Sequence, residues 1–168
     1  MLFKNVGEYQ DIQYRNVISR YYTVSPEEIP DTYNAFLEEV RKAGYTLRGP
    51  FFYTINSKLE ENQDVLMELF IPVEEEYIED ALPKDFLYHS MFQVLNTVST
   101  RILEPDDESV KEGISFLAGY IYYQGHCELT PPFFFTTISD GKVYTDIKVG
   151  VLKETFSGIQ SIEEIFGW

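Results

Sequence analysis

Apolar and polar positions along this chain alternate with two different periods, and the switches between them mark the elements. Residues 16–24, "NVISRYYTV", are rich in β-branched and aromatic types and predict a strand. After "SPEEIPD", Tyr33, Phe36, Leu37 and Val40 recur at helical spacing. Ser25 and Glu28 have capping-box spacing, but Pro30 would interrupt a helix begun there, so the helix is expected to start at Asp31. Gly44 is a natural stop for it. "YTLRGPFFYTI" then predicts a strand, "NSKLEENQD" a polar loop and "VLMELFIPV" another strand. The order is β-α-β-β.

The order then recurs. Residues 74–85, "EEEYIEDALPKD", are acidic, contain Pro83, and form a connector too compact to separate two domains. "FLYHSMFQVL" suits a strand, and "NTVSTRILEPDDES" carries the chain to a second helix starting near Asp106 and Asp107. Val110, Ile114, Leu117, Ala118 and Ile121 form its apolar stripe, and Gly125 ends it. "CELTPPFFFTTI" reads as a strand, "SDGK" as a tight turn with Asp-Gly chemistry, and "VYTDIKVGVL" as the closing strand. "SIEEIFGW" predicts a short C-terminal helix over residues 158–168. The expected architecture is one α+β domain. Repeat 1 covers about 15–73 and repeat 2 about 86–152, and together they form one curved antiparallel sheet with two main helices on one face.

A doubled phrase supports the repeat. "RGPFFYTI" follows Gly44 and "TPPFFFTT" follows Gly125, which equates Pro50 with Pro132 and Phe51 with Phe133. Likewise "ELFIPV" from Glu68 lines up with "DIKVGV" from Asp146. Each closing strand thus carries one acid in an otherwise apolar run. Strand side chains alternate faces. Met67, Leu69, Ile71 and Val73 share a face that should lie under the helices, as should Thr145, Ile147, Val149 and Val151. Glu68 shares the other face with Leu66, Phe70 and Pro72, and Asp146 shares it with Tyr144, Lys148 and Gly150. That face is expected to look toward a groove walled by Phe51, Tyr53, Phe133 and Phe135, or by their alternates Phe52 and Phe134. A carboxylate among rings suits a cationic, lipophilic ligand, because aromatic faces attract cations. The alternative is a solvated face, on which Lys148 would neutralise a nearby acid.

Composition narrows the function. The 168 residues include 28 acidic and 13 basic side chains, for a net charge of −15, without a Lys or Arg cluster. Direct nucleic-acid binding is therefore not expected, whereas cationic ligands or a basic protein partner fit. Tyr and Phe number 13 each, enough to fill a core and line a cavity. The single cysteine, Cys127, permits no internal disulfide. With no signal-peptide core and no membrane-length apolar run, the expected location is the cytoplasm. His126 beside Cys127 would point to opposite faces of a strand, so neither a metal nor a cofactor is expected. No phosphate loop or nucleophile elbow is present.

The duplicated units, the helix-ending glycine before an aromatic strand, and the acid-x-x-x-Pro-Val strand together resemble the GyrI-like, or effector-binding, domain family. The resemblance covers about residues 16–152. It implies a small-molecule cavity in which an acid of the second closing strand meets cationic drugs. That position matches Asp146, and Glu68 matches its equivalent in the first half. No helix-turn-helix segment precedes the domain in this sequence, so a stand-alone, non-enzymatic binder is expected rather than a one-chain regulator. The expected ligand residues are Glu68, Asp146, Phe51, Tyr53, Phe70, Phe133, Phe135 and Tyr144. Two alternatives stand beside this reading. One is an acidic interaction module acting in a regulatory or secretion-associated complex, with 74–76 as its docking patch. The other, implied by some relatives, is a hydrolase using Glu68 and a tyrosine.

Overall fold

A computed structural model describes residues 6–57 and 63–152. The helix expected over 158–168 lies outside them. The elements are β1 (Gly7–Val24), a 3₁₀ turn (Pro26–Glu28), α1 (Ile29–Lys42), β2 (Phe52–Ile55), β3 (Val65–Pro72), β4 (Leu87–Leu103), α2 (Asp107–Tyr123), β5 (Cys127–Glu128), β6 (Phe133–Ser139) and β7 (Lys142–Leu152). The β-α-β-β order therefore occurs twice, with the short β5 added in the second half.

The sheet is closed rather than open. Its strands follow the order β4-β1-β3-β2-β6-β7, and β4 pairs back onto β7, so six antiparallel strands form a barrel with β5 on the outer edge of β7. Closure depends on two strands much longer than expected. β1 pairs with β4 over its first part and with β3 over Val17–Val24. β4 pairs with β1 over its first part and with β7 over Thr97–Leu103. Each bends at an asparagine in left-handed conformation, Asn16 (φ 54°) and Asn96 (φ 57°), a backbone that asparagine tolerates better than most residues. The bend shifts the alternation, so Tyr14 and Val17 both join the barrel interior.

Local chemistry explains the helices. α1 begins two residues before Asp31. Pro30 sits in its first turn, where no intrahelical N–H is needed, and so starts the helix rather than breaking it. Asp106 caps α2 by accepting from the Ser109 amide at 2.7 Å, and the Asp106 amide donates to Ser109 Oγ at 2.9 Å. Gly44 (φ 96°) and Gly125 (φ 69°) turn the chain just past the two helices. Asp140 and Gly141, both at positive φ, make the β6–β7 hairpin, as the Asp-Gly turn predicts.

Three apolar clusters result. α1 buries Phe36 and Val40 against Met67, Leu69 and Ile71 on the outer face of β3. α2 buries Leu117, Tyr120 and Ile121 against Val98, Phe134, Ile147 and Val149. Phe52, Phe70, Phe133 and Phe135 fill the barrel with Ile12 and Val17. The uniformly apolar faces thus lie under the helices, as their period-two patterning predicts. The connector is tied to the first half, because Ile78, Ala81 and Leu82 pack on that cluster and Glu75 binds the Thr46 amide with both carboxylate oxygens, at 2.9 and 2.7 Å.

Candidate ligand site

Each helix covers its own side of the sheet, and the central strands β2 and β6 lie at the floor of the gap between their first turns. There a cleft of about 740 Å³ opens, within the range of small-molecule sites. Tyr53, Ile55, Val65, Met67 and Phe134 line it from the sheet, with Tyr33 beside them from α1. Tyr53 and Phe134 stack at 5.0 Å and 14°, and Tyr33 packs on Tyr53 at 5.4 Å. The first turns of the helices form the walls, with Pro26, Glu27, Ile29 and Pro30 on one side and Asp107, Val110 and Lys111 on the other. Burial raises the Tyr33 pKa strongly, reinforced by its hydrogen bond to Tyr53, and burial raises Tyr53 as well. Both phenols therefore stay neutral in ordinary buffers. The charged groups along the cleft are Glu27, Asp107 and Lys111.

The acid-bearing face turns into the barrel, away from this cleft. The barrel interior is packed with rings: Phe52 lies 4.8 Å from Phe70 and 4.7 Å from Phe135, both stacked, and Phe70 lies 4.8 Å from Phe92. Glu68 is buried there. Ser19 Oγ donates to its Oε2 at 2.8 Å, and Ser19 Oγ also lies 2.9 Å from His89 Nε2. Tyr21 hydrogen-bonds to Glu68, which raises the Tyr21 pKa. Burial depresses the His89 pKa, with Glu68 opposing in part.

Asp146 is held differently. Arg101 grips it with two bonds, Nε to Oδ1 at 2.7 Å and the second guanidinium nitrogen to Oδ2 at 3.0 Å, and lies 5.4 Å from the Tyr144 ring. Lys148 does not supply that cation. Its ammonium sits 4.9 Å over the Phe135 ring.

The eight expected ligand residues therefore separate. Glu68, Phe70, Phe133 and Phe135 pack inside the barrel, and Asp146 and Tyr144 meet Arg101 on the same face. Phe51 and Tyr53 lie on the helix side, Phe51 against Tyr33 at 5.1 Å. Of the eight, only Tyr53 lines the cleft. The equation of Phe51 with Phe133 is off by one. Glu68 pairs with Thr54 and Asp146 with Phe135, while Phe52 pairs with Phe70 and Phe133 with Lys148. The structural equivalents are thus Phe52 and Phe133, and a one-residue slip exchanges the faces. Phe134, expected only as an alternate wall, does line the cleft, whereas Tyr33 and Met67 were not expected there. Each sits in an apolar pattern that reads as core, and only the gap between the helices distinguishes them.

Two helices over a closed six-stranded antiparallel sheet define the GyrI-like fold, over most of this chain. Among solved structures, the C-terminal domain of EcmrR superposes with a TM-score of 0.68 at 17% identity, covering 86% of this chain and 98% of that domain. EcmrR in a complex with DNA gives the same score, identity and share of this chain, which spans 58% of that longer protein. A hydrolase from Listeria innocua superposes with a TM-score of 0.60 at 13% identity, covering 89% of this chain and 94% of that one. No family model and no curated protein matches the sequence. At these identities the likeness concerns the fold. Among the described residues, no helix is long and apolar enough to cross a membrane.

Proposed function

We propose that this chain binds a planar, largely apolar small molecule bearing a cationic group, seated between α1 and α2. The carrying observation is the 740 Å³ cleft with the stacked Tyr53–Phe134 pair in its floor. A flat ligand would pack on the partly exposed rings of Tyr33 and Tyr53, which Phe134 backs from below, and would find a π-face for its charge there. Glu27 and Asp107 outnumber Lys111 along the cleft, and the net charge of −15 favours a cation at longer range. Neutral Tyr33 and Tyr53 offer hydrogen bonds rather than acid-base chemistry, which supports binding without turnover. The C-terminal domain of EcmrR shares the fold, and the resemblance of the sequence to effector-binding domains supports the same reading. A hydrolytic Glu68 would have to reach substrate through the sheet, since it faces the barrel. A docking role for the acidic connector would compete with the use of Glu75 to hold Thr46.

Titration with ethidium, followed by its fluorescence, tests the proposal. Saturable binding is expected. Val110→Arg, which places a cation in the cleft wall, should weaken it at least tenfold, while Glu68→Gln should leave it within about threefold. Absence of saturable binding, or loss on Glu68→Gln with Val110→Arg unaffected, would contradict it.

A further inference from the structure

The two ends of the barrel are built on one plan but neutralised differently. Cross-strand register lays one row of inward-facing residues through Tyr21, Glu68, Thr54, Phe133, Lys148 and Ser99. A second row runs through Arg101, Asp146, Phe135, Phe52, Phe70 and Ser19. The rows match position by position. Glu68 corresponds to Asp146, Tyr21 to Arg101 and Thr54 to Phe135. Where the second half supplies a guanidinium to its acid, the first half supplies a phenol. Where the second half fills space with a ring, the first half leaves a small hydroxyl-bearing side chain.

The consequences at Glu68 are specific. Glu68 is only 8% exposed, and among the described residues no Lys or Arg pairs with it. Beside it in register, Thr54 is 2% exposed and its Oγ1 has no hydrogen-bond partner. The imidazole of His89 reaches Glu68 only through Ser19, and burial holds it toward its neutral form, so the buried carboxylate has no full countercharge. Beside it in register lies a buried hydroxyl without a partner, and both are costly. Ser19 Oγ donates to Glu68 Oε2, and the Tyr21 phenol also hydrogen-bonds to this carboxylate. The oxygens present are therefore a carboxylate with lone pairs beyond those two bonds, the lone pairs of the phenol oxygen, and the unpartnered Thr54 Oγ1. Tyr21 is 48% exposed, so this end of the row reaches solvent.

We infer that this end of the barrel binds a small monovalent cation, an alkali-metal ion or ammonium, which supplies the charge that Arg101 supplies at the other end. Oxygen donors select a hard ion. A single carboxylate matches one positive charge, whereas a divalent ion draws on several. Among the described residues no three His, Cys, Asp or Glu side chains cluster, which leaves no transition-metal ligand set at this place. The site is separate from the inter-helix cleft, because Glu68 and Thr54 face the barrel while Met67, Tyr53 and Ile55 face the cleft.

Thermal melts at fixed ionic strength in sodium, potassium or ammonium chloride, against tetramethylammonium chloride, test the inference. The last cation screens its charge behind four methyl groups and so cannot be ligated directly by oxygens. At least one small cation should raise the melting temperature, by about 3–5 °C at ten times its Kd, with saturating dependence. Thr54→Val and Glu68→Gln should abolish the difference between salts, whereas Thr54→Ser, which keeps the oxygen, and Val110→Arg should retain it. Broadening of the ²³Na resonance by the wild-type protein, reversed by potassium, provides a readout independent of variant folding. Identical melting in all four chlorides together with an unbroadened ²³Na line would overturn the inference, and so would a salt effect that survives Thr54→Val. An ethidium titration that fails while the salt effect persists would refute the cleft reading alone.

Discussion

Phe51 and Phe52 are adjacent and chemically identical, yet the barrel register predicts very different energies for them. Phe52 is fully buried and meets the rings of Tyr14, Phe70, Phe92, Phe133 and Phe135 at centroid distances of 4.7 to 6.1 Å. Truncation to alanine removes about 3 kcal/mol of apolar transfer energy and leaves a cavity that surrounding rings refill only in part, for a total of roughly 4–5 kcal/mol. Phe51 is half-buried and meets Tyr33, Phe36 and Tyr53 at 5.1 to 6.4 Å. Phe51→Ala should cost about 2 kcal/mol, because solvent already reaches part of the ring. Urea titration at equilibrium, with the slope monitored for constancy, measures both values. A Phe51→Ala cost equal to or above that of Phe52→Ala would refute the face assignment and the barrel register with it.

Three other perturbations probe the same architecture. A Cβ at Gly150 would come within 2.7 Å of Val94 Cγ1 and 2.9 Å of Thr130 Cγ2, so Gly150→Ala should destabilise by about 1–3 kcal/mol in urea titration. Asp106→Ala removes the α2 cap and should lower the urea midpoint, with Asp106→Asn largely restoring it. Burial holds the His89 pKa below its ordinary 6.5, so between that folded value and 6.5 the unfolded chain binds more protons. Stability should fall as pH drops below about 6.5, and the urea midpoint of His89→Gln should show a shallower pH dependence than wild type. An equal slope would remove His89 from the account.

Much of the fold is legible locally. Period-two runs such as "VLMELFIPV" identify the helix-facing sides, Gly44 and Gly125 mark helix ends, and Asp140-Gly141 marks a hairpin. Barrel closure is not legible, because it depends on β1 and β4 continuing through polar stretches. "GEYQDIQYR" and "NTVSTRIL" look like connections, since their pairing partners are remote and one face is solvated. The doubled phrase led to the right strands in the wrong phase. Likeness of letters equates Phe51 with Phe133, but the pairing of Glu68 with Thr54 and of Asp146 with Phe135 equates Phe52 instead. The site was least legible. Tyr33 and Met67 carry the same pattern as core residues, and Arg101 has no sequence signal linking it to Asp146. A cleft between helices is a property of how far apart they pack, and no short motif encodes it.

The central claim is that the ligand lies between the helices and not inside the barrel. Methyl-labelled NMR during ethidium titration separates the two directly. Ile29, Ile55, Val65, Met67 and Val110 line the cleft, while Ile12, Val17 and Val94 belong to the barrel cluster. The first group should shift in a saturable way with the second nearly still. Shifts confined to Ile12, Val17 and Val94 would contradict the account.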